Sequence, residues 1–210
     1  HERPLAERRA AIEHATMLAQ RAQDSELLAW IESWRVRCET EVCEPAMEQH
    51  QHAFVRVAPR AGVTAVWYAK LLQGMQATLF GRFEDATRHV HEARELGEQA
   101  FIAETDHAYL WQTIAIRRWQ GETLPIVEEL RAISERIPHS IDCRATLAAV
   151  YADLGRMPDA RIEFTRGYPN ANSTFAWSQL ASVARALGET EVAELLHAKL
   201  SPYDDRCALS

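Results

Sequence analysis

The residue types most capable of chemistry include two histidines one residue apart, His89 and His91, in the stretch GRFEDATRHVHEA at 81–93. Imidazole can ligate a metal ion or transfer a proton near neutral pH. The stretch is predicted to be helical, and residues two apart on a helix point about 200° away from each other. The two imidazoles are therefore not expected to share one ion. The pattern favours two histidines on a solvated helix face.

A second group of potential zinc ligands consists of Cys38-x4-Cys43 followed by His50-x-His52. The residue types suit zinc, but a four-residue gap followed by H-x-H fits no strong zinc-finger pattern. Two interpretations stay open: a structural zinc site where one helix ends and the next begins, or incidental cysteines at a helix turn. We predict no metal site. Cys143 is expected to be packed and unreactive, because no His or acid is placed to activate it.

Motifs of known enzyme classes are absent from the sequence. It contains no G-x-S-x-G, no H-E-x-x-H and no G-x-x-x-x-G-K-[ST]. Acidic runs such as VEEL and PYDD are typical of solvated helix surfaces. The sequence therefore predicts a protein without catalytic residues and without a cofactor.

The composition is that of a globular domain able to bury a core, with 47% hydrophobic and 25% charged residues among 210. The net charge of -7 and the lack of a basic cluster argue against nucleic-acid binding. No run of about 18 apolar residues predicts a membrane span. Four cysteines are too few for a disulfide scaffold, and no signal peptide is visible, so we expect reduced thiols in a cytoplasm. His1 is no natural start, so the chain is expected to be a fragment of a larger protein.

Internal repetition is the strongest pattern in the chain. Gly81, Gly121, Gly155 and Gly188 each separate two helical apolar stretches, at spacings of 40, 34 and 33 residues. Three aligned positions then recur: seven residues before the glycine, five after it and nine after it. The position seven residues before the glycine holds Gly74, Ile114, Ala148 and Ala181. The position five after it holds Ala86, Ile126, Ala160 and Ala193. The position nine after it holds Val90, Leu130, Phe164 and His197.

These offsets predict paired helices that stack on one another. A glycine can end the first helix of a pair, because positive φ costs it little. Small residues at the recurring positions let the helices approach closely. Asp24 or Ser25 is a candidate N-cap for the second helix of the chain. About eleven helices are expected in an all-α fold, with breaks near 24, 40–45, 59–62, 81, 97–100, 121, 138–140, 155, 167–172 and 188.

The offsets resemble the tetratricopeptide repeat, most clearly in TLAAVYADLGRMPDARIEFTRG (146–167) and WSQLASVARALGETEVAELLHAKL (177–200). The copy around Gly121 departs from the pattern, with Thr113, Ile114 and Arg117 where the repeat favours Leu, a small residue and Tyr. The resemblance implies an α-α superhelix, a solenoid in which one repeat domain extends over residues 1–210.

A narrower resemblance covers most of the chain. The ordered series WYAKLLQGMQATLFGRFEDATRHVHEARELG, LRAISERIP, LAAVYADLGRMPDARIEF and LLHAKLSPYDDR is similar to the helical repeats of bacterial signal-transduction ATPase regulators. In such proteins a P-loop ATPase is followed by helical repeats, with a LuxR-type DNA-binding domain or an adenylate cyclase domain elsewhere. The resemblance implies a non-enzymatic module that senses an effector or binds a partner. The alternative is a free-standing scaffold that recognises peptide segments of partner proteins, and the oligomeric state is left open.

In tetratricopeptide arrays the first helix of each pair lines a concave surface on which peptides or small effectors dock. Aromatic residues and arginine are enriched where binding energy concentrates. Arginines are also hard to bury without partners, which suggests an anionic effector or an acidic peptide. The aromatic members could equally fill the core of the solenoid. The predicted concave positions are Arg35, Tyr68, Met75, Trp111, Arg118, Asp142, Phe175 and Arg185.

Overall fold

The computed structural model describes residues 4–42 and 46–204. Within these ranges the chain forms eleven α-helices and no strand. Consecutive helices pack against each other among residues 5–119 and, separately, among residues 123–200. The prediction of an all-α fold with about eleven helices is therefore confirmed. The helices are α1 (Leu5–Ala22), α2 (Ser25–Glu41), α3 (Met47–Val57), α4 (Val63–Leu79), α5 (Phe83–Gln99), α6 (Thr105–Trp119), α7 (Thr123–Arg136), α8 (Ile141–Asp153), α9 (Met157–Gly167), α10 (Thr174–Leu187) and α11 (Thr190–Leu200).

The recurring glycines lie where the sequence places them, one or two residues after the ends of α4, α6, α8 and α10. Their φ angles are 70° at Gly81, 79° at Gly121, 71° at Gly155 and 74° at Gly188. At Gly121 an added Cβ would meet no atom within 4 Å, so the backbone conformation and not crowding selects glycine there. The turn between the helices of each pair is thus encoded locally.

Side-chain caps begin three of the helices. Asp24 accepts a hydrogen bond from the Leu27 N–H at 2.9 Å, which confirms Asp24 as the N-cap of α2. Ser140 caps α8 and Ser173 caps α10 in the same way. Each cap satisfies an N–H group that has no partner inside its helix.

The chain divides into two compact units, His1–Trp119 and Gln120–Ser210. In the first unit, α4 lies against α2 and α3 on one side and against α5 and α6 on the other. One core cluster joins Val36, Phe54 and Leu72. Another joins Ala86, Val90 and Ile116. The prediction of a single repeat domain stays a prediction.

The α4–α5–α6 packing depends on Gly74, seven residues before Gly81. A Cβ at Gly74 would lie 2.6 Å from Gln112 Oε1 and 2.9 Å from Val90 Cγ2. Because α4 and α6 lie this close, Gln112 Nε2 on α6 donates a hydrogen bond to the Leu71 carbonyl of α4 at 2.9 Å. The expectation that a small residue here lets helices approach closely is confirmed.

In the second unit, α8 is the central helix. It packs against α7, α9 and α10, and every residue from Ala145 to Tyr151 is buried. A helix buried on most of its sides must be apolar around most of its circumference, and the sequence ATLAAVY meets that requirement. The shape of any site in this unit therefore depends on the side chains that α7, α9 and α10 place beside α8.

The recurring positions are buried in every pair except the last. Ala86, Ile126 and Ala160 have no exposed surface. In the α10–α11 pair, Ala193 is only partly buried and His197 is exposed. Looser burial is expected of a pair that ends a stack of repeats.

Candidate functional site

A pocket of about 510 Å³ opens within the second unit, between α7, α8 and α9. Each helix contributes one face to the pocket walls, because most lining residues of a helix are three, four or seven residues apart along the chain. Four guanidinium groups and three carboxylates face it, beside a tyrosine and two aliphatic side chains. The lining residues are Arg131, Ser134, Glu135, Pro138, Arg144, Leu147, Tyr151, Arg156, Asp159, Ile162, Glu163 and Arg166.

One end of the pocket is a closed ion-pair network centred on Arg144. The Arg144 Nη1 donates to Glu163 Oε2 at 2.9 Å, and its Nε and Nη2 donate to the Pro138 carbonyl at 3.1 and 2.9 Å. The side chains of Arg144 and Glu163 are only 15% and 11% exposed. Arg166 completes the network by donating to Glu163 Oε1 at 3.1 Å. These groups hold α9 and the α7–α8 loop against α8, and each of the three charged groups already has an ionic partner.

The other end, which we call the basic end, consists of Arg131, Tyr151 and Arg156. The Arg156 guanidinium carbon lies 4.7 Å from the centroid of the Tyr151 ring, a cation–π contact that orients both groups. Arg156 Nε and Nη2 both contact Asp159 Oδ2, at 2.8 and 2.7 Å. Arg131 has a longer contact of 3.7 Å to Glu128, whose side chain is 79% exposed. Arg131 and Arg156 therefore each retain guanidinium N–H groups that these carboxylates do not use.

Tyr151 is the most unusual group in the pocket. It is 5% exposed, and among the described residues its hydroxyl has no hydrogen-bond partner. Burial raises the pKa of Tyr151, against the opposing effect of the Arg131 and Arg156 charges. The hydroxyl therefore stays protonated near neutral pH and can donate a hydrogen bond into the pocket.

None of the eight predicted concave residues lines this pocket. Asp142 precedes Arg144 by two residues on α8, so it points to the opposite side of the helix. There its Oδ1 accepts a hydrogen bond from the Ser173 hydroxyl at 2.9 Å, beside the cap of α10. Phe175 is partly buried, and Arg185 is exposed.

The other five predicted residues belong to the first unit. Arg35 lies against α1, where its Nη1 contacts Glu13 at 2.6 Å and its Nη2 donates to the Thr16 hydroxyl at 3.1 Å. Tyr68 packs against the rings of Trp30 and Phe54, at centroid distances of 6.0 and 6.3 Å. Three further residues are partly buried, and the prediction that all eight share one docking surface stays a prediction. These three are Met75, Trp111 and Arg118.

The histidine prediction needs a correction. His91 is exposed and contacts the Tyr109 ring at a centroid distance of 5.4 Å. His89, however, is not on a solvated face, because its side chain is only 14% exposed. It lies near Lys70 of α4, and burial, assisted by the Arg88 and Lys70 charges, lowers the pKa of His89. The helical period placed the two rings on different faces but could not show that α4 covers one of them.

The cysteine-rich turn is only partly described. Cys43 and Cys207 lie outside the described residues, so the zinc alternative at Cys38 and Cys43 stays open. Within residues 4–42 and 46–204 no three His, Cys, Asp or Glu side chains are grouped as a metal site would require. Cys143 is fully buried, and burial raises the pKa of its thiol to about 11. The expectation of a packed Cys143 is confirmed.

Comparisons with known proteins returned no matching family model, no matching curated protein and no matching solved structure. In the part of the chain that the structure describes, no helix combines the length and apolar character needed to span a membrane.

The sequence contained one signal for the pocket that the repeat alignment passed over. Arg156, Asp159, Glu163 and Arg166 follow one another at spacings of three, four and three residues, which places them along one face of α9. The groups that complete the pocket, Arg131 and Tyr151, belong to other helices. No single segment of the sequence predicts that Arg131 and Tyr151 lie close to this face of α9.

Proposed function

We propose that this chain is a helical-repeat binding module of a larger bacterial regulator. In this proposal, binding of an effector or partner regulates an attached ATPase linked to a transcription-regulator or cyclase domain. The support comes from helix pairs that recur around positive-φ glycines, together with the sequence resemblance described above. The observation that carries the proposal is the charged pocket between α7, α8 and α9.

The pocket has the size and composition of a binding site for a small molecule. Its volume of about 510 Å³ falls within the ~300–1,000 Å³ typical of ligand pockets. Its walls combine aliphatic surface from Leu147 and Ile162 with a few oriented polar groups. Tyr151 lines the pocket, its hydroxyl has no hydrogen-bond partner among the described residues, and a ligand would supply one.

The burial of the two described cysteines favours a binding role over a catalytic one. A nucleophilic cysteine needs a lowered pKa and access to substrate. Burial instead raises the pKa of Cys38 and Cys143, and both residues are buried. We therefore propose a non-enzymatic role.

A ligand in the pocket would act on the spacing of helices. The pocket is bounded by α7 and α9, which both pack against α8. A molecule that contacts both walls would favour one distance between them, and differential affinity for two arrangements shifts their populations. That shift is the signal that an attached domain would detect.

A thermal-shift screen of the whole chain against small anions and acidic peptides tests the proposal, because a bound ligand raises apparent stability. The blocking variant is Ile162→Trp, which adds bulk at a 49% exposed pocket residue. The matched control is Leu195→Trp, at an equally exposed residue of α11 outside the pocket. We expect ligands that raise Tm by several degrees, with the effect lost in Ile162→Trp and kept in Leu195→Trp.

Two results would count against the pocket as the functional site. One is a screen without any stabilising ligand. The other is a set of ligands whose effect survives in Ile162→Trp. Peptides that lose binding in Arg118→Ala or Arg185→Ala, but not in Ile162→Trp, would favour the peptide-recognising scaffold. The reading frame around the segment adds a further test, since the regulator hypothesis requires a P-loop ATPase in the same polypeptide.

A further inference from the structure

The basic end of the pocket contains hydrogen-bond donors that the protein itself leaves unused. Among the described residues the Tyr151 hydroxyl, which faces the pocket, has no hydrogen-bond partner. Arg156 uses Nε and Nη2 for Asp159, which leaves its Nη1 edge without a contact to that carboxylate. Arg131 has only the 3.7 Å contact to the largely exposed Glu128. Three donors from α7, from α8 and from the start of α9 therefore face one end of a single pocket.

We propose that this basic end binds the phosphoryl group of a small phosphate monoester, with Arg131, Tyr151 and Arg156 as its ligands. The proposal rests on the binding role proposed above and names the class of effector. A phosphoryl group offers three terminal oxygens, one for each of the three donors, whereas a carboxylate offers two oxygens in one plane. Guanidinium groups suit phosphate because their planar donors match its oxygens.

The remaining walls specify the rest of the molecule. Leu147 and Ile162 present aliphatic surface beside the basic end, which suits an apolar body. At the far end, the Glu163 carboxylate already accepts from Arg144 and Arg166, and Glu135 adds a further negative charge. A second phosphoryl group there would meet carboxylates. The pocket therefore favours a single terminal phosphate over a polyphosphate.

Tyr151→Phe provides a selective test. The substitution removes only the hydroxyl and keeps the ring that contacts Arg156. Because the hydroxyl has no partner inside the protein, its loss is expected to leave thermal stability unchanged. Any effect on binding can then be assigned to the hydroxyl.

Calorimetric titration of the full 210-residue chain with phenyl phosphate, inorganic phosphate and benzoate tests the inference. We expect phenyl phosphate to bind more tightly than the other two. Tyr151→Phe should weaken it about tenfold, the loss expected for a hydrogen bond to a charged group, and Arg131→Gln or Arg156→Gln by at least as much. The matched control is Arg161→Gln, at an arginine of α9 outside the pocket lining, which should leave the affinity within about twofold of the parent value, a difference of about 0.4 kcal/mol.

Four results would overturn the inference: no binding of phenyl phosphate, equal or tighter binding of benzoate, unchanged affinity in Tyr151→Phe, or an equal loss in Arg161→Gln. Failure here is distinguishable from failure of the binding role. If phenyl phosphate fails but ligands of another class lose their effect in Ile162→Trp, the binding role stands and the phosphate assignment falls. If no ligand of any class binds, both fall.

Discussion

The α4–α5 and α8–α9 pairs place a basic residue at the same position relative to their turn glycines. Eleven residues before the glycine is a base in both pairs, Lys70 and Arg144. In α4–α5 the base contacts Glu92, eleven residues after Gly81, at 2.6 Å. In α8–α9 it contacts Glu163, eight residues after Gly155, at 2.9 Å. Because these two positions are one helical turn apart, an acid at either one reaches the same base.

The two pairs differ in how deeply they bury this contact. Lys70 and Glu92 are 29% and 36% exposed, whereas Arg144 and Glu163 are 15% and 11% exposed. Arg144 also reaches the Pro138 carbonyl with its remaining donors, which a lysine ammonium could not do with the same planar geometry. The same repeat position is therefore a surface ion pair in one pair of helices and a structural anchor in the other. In the sequence the two bases occupy equivalent positions, so the alignment alone does not show this difference in burial.

Arg144→Met should have the largest effect on stability. It leaves Glu163 buried with only Arg166 as a partner and removes two donors from the Pro138 carbonyl. We expect the free energy of unfolding, measured in urea at pH 7, to fall by about 2–3 kcal/mol. The control Arg166→Met removes a contact of a 61% exposed side chain and should change stability by less than about 0.5 kcal/mol. Equal losses in the two variants would contradict the anchoring role of Arg144.

Gly74→Ala should destabilise the protein by about 2 kcal/mol, because its Cβ would press on Gln112 and Val90. At an uncrowded helix position this substitution would stabilise by about 1 kcal/mol. Gly155→Ala offers a contrast, since a Cβ there meets nothing within 4 Å and only the φ of 71° opposes it, at a cost of about 1 kcal/mol. Urea unfolding of both variants measures the difference. A stabilised Gly74→Ala variant would show that the helices are not in close contact there.

A pair of double-mutant cycles compares the two ion pairs directly. We expect a coupling free energy of about 0.5 kcal/mol between Lys70 and Glu92, using Lys70→Met and Glu92→Gln, because both side chains are about one-third exposed. The coupling between Arg144 and Glu163, measured with Arg144→Met and Glu163→Gln, should be at least twice as large. Equal couplings would remove the proposed distinction between a surface pair and an anchor.

The smallest expected effect is a pH dependence at His89. Burial lowers its pKa from the ordinary value of 6.5 in the folded chain, in surroundings that include Lys70, Arg88, Glu92 and Asp85. Well above pH 7 the imidazole is neutral in both states, so it makes no pH-dependent contribution there. As the pH falls below 6.5, the unfolded chain takes up the proton more readily than the folded chain, and stability declines.

His89→Asn should therefore lose less stability between pH 7 and pH 5.5 than the parent chain, as measured by urea unfolding at both pH values. His52→Asn, at an exposed position of α3, is the matched control and should leave the difference between the two pH values unchanged. A steeper decline in His89→Asn would mean that the folded state stabilises the protonated imidazole, with Glu92 outweighing burial.

The helices, their turns and the cap of α2 could be predicted because the information is local. A glycine that adopts positive φ, an Asp or Ser that accepts a hydrogen bond three residues ahead and an apolar period of 3.6 residues act over one or two turns of chain. Gly121 and Asp24 are examples, and both lie where the sequence places them. The predicted concave surface had less local support, since it required residues from five helices to align.

The covered face of His89 and the basic end of the pocket depend on neighbours that no local pattern specifies. The sequence by itself determined the number of helices, the positions of the turns and the small residues at which helices meet, because these follow from backbone conformation and side-chain volume within a repeat. The tertiary structure alone decided which charges are buried and which donors meet. Burial and proximity are properties of packed helices, and residues as distant along the chain as Arg131 and Arg156 come to line one pocket only when α7, α8 and α9 pack together.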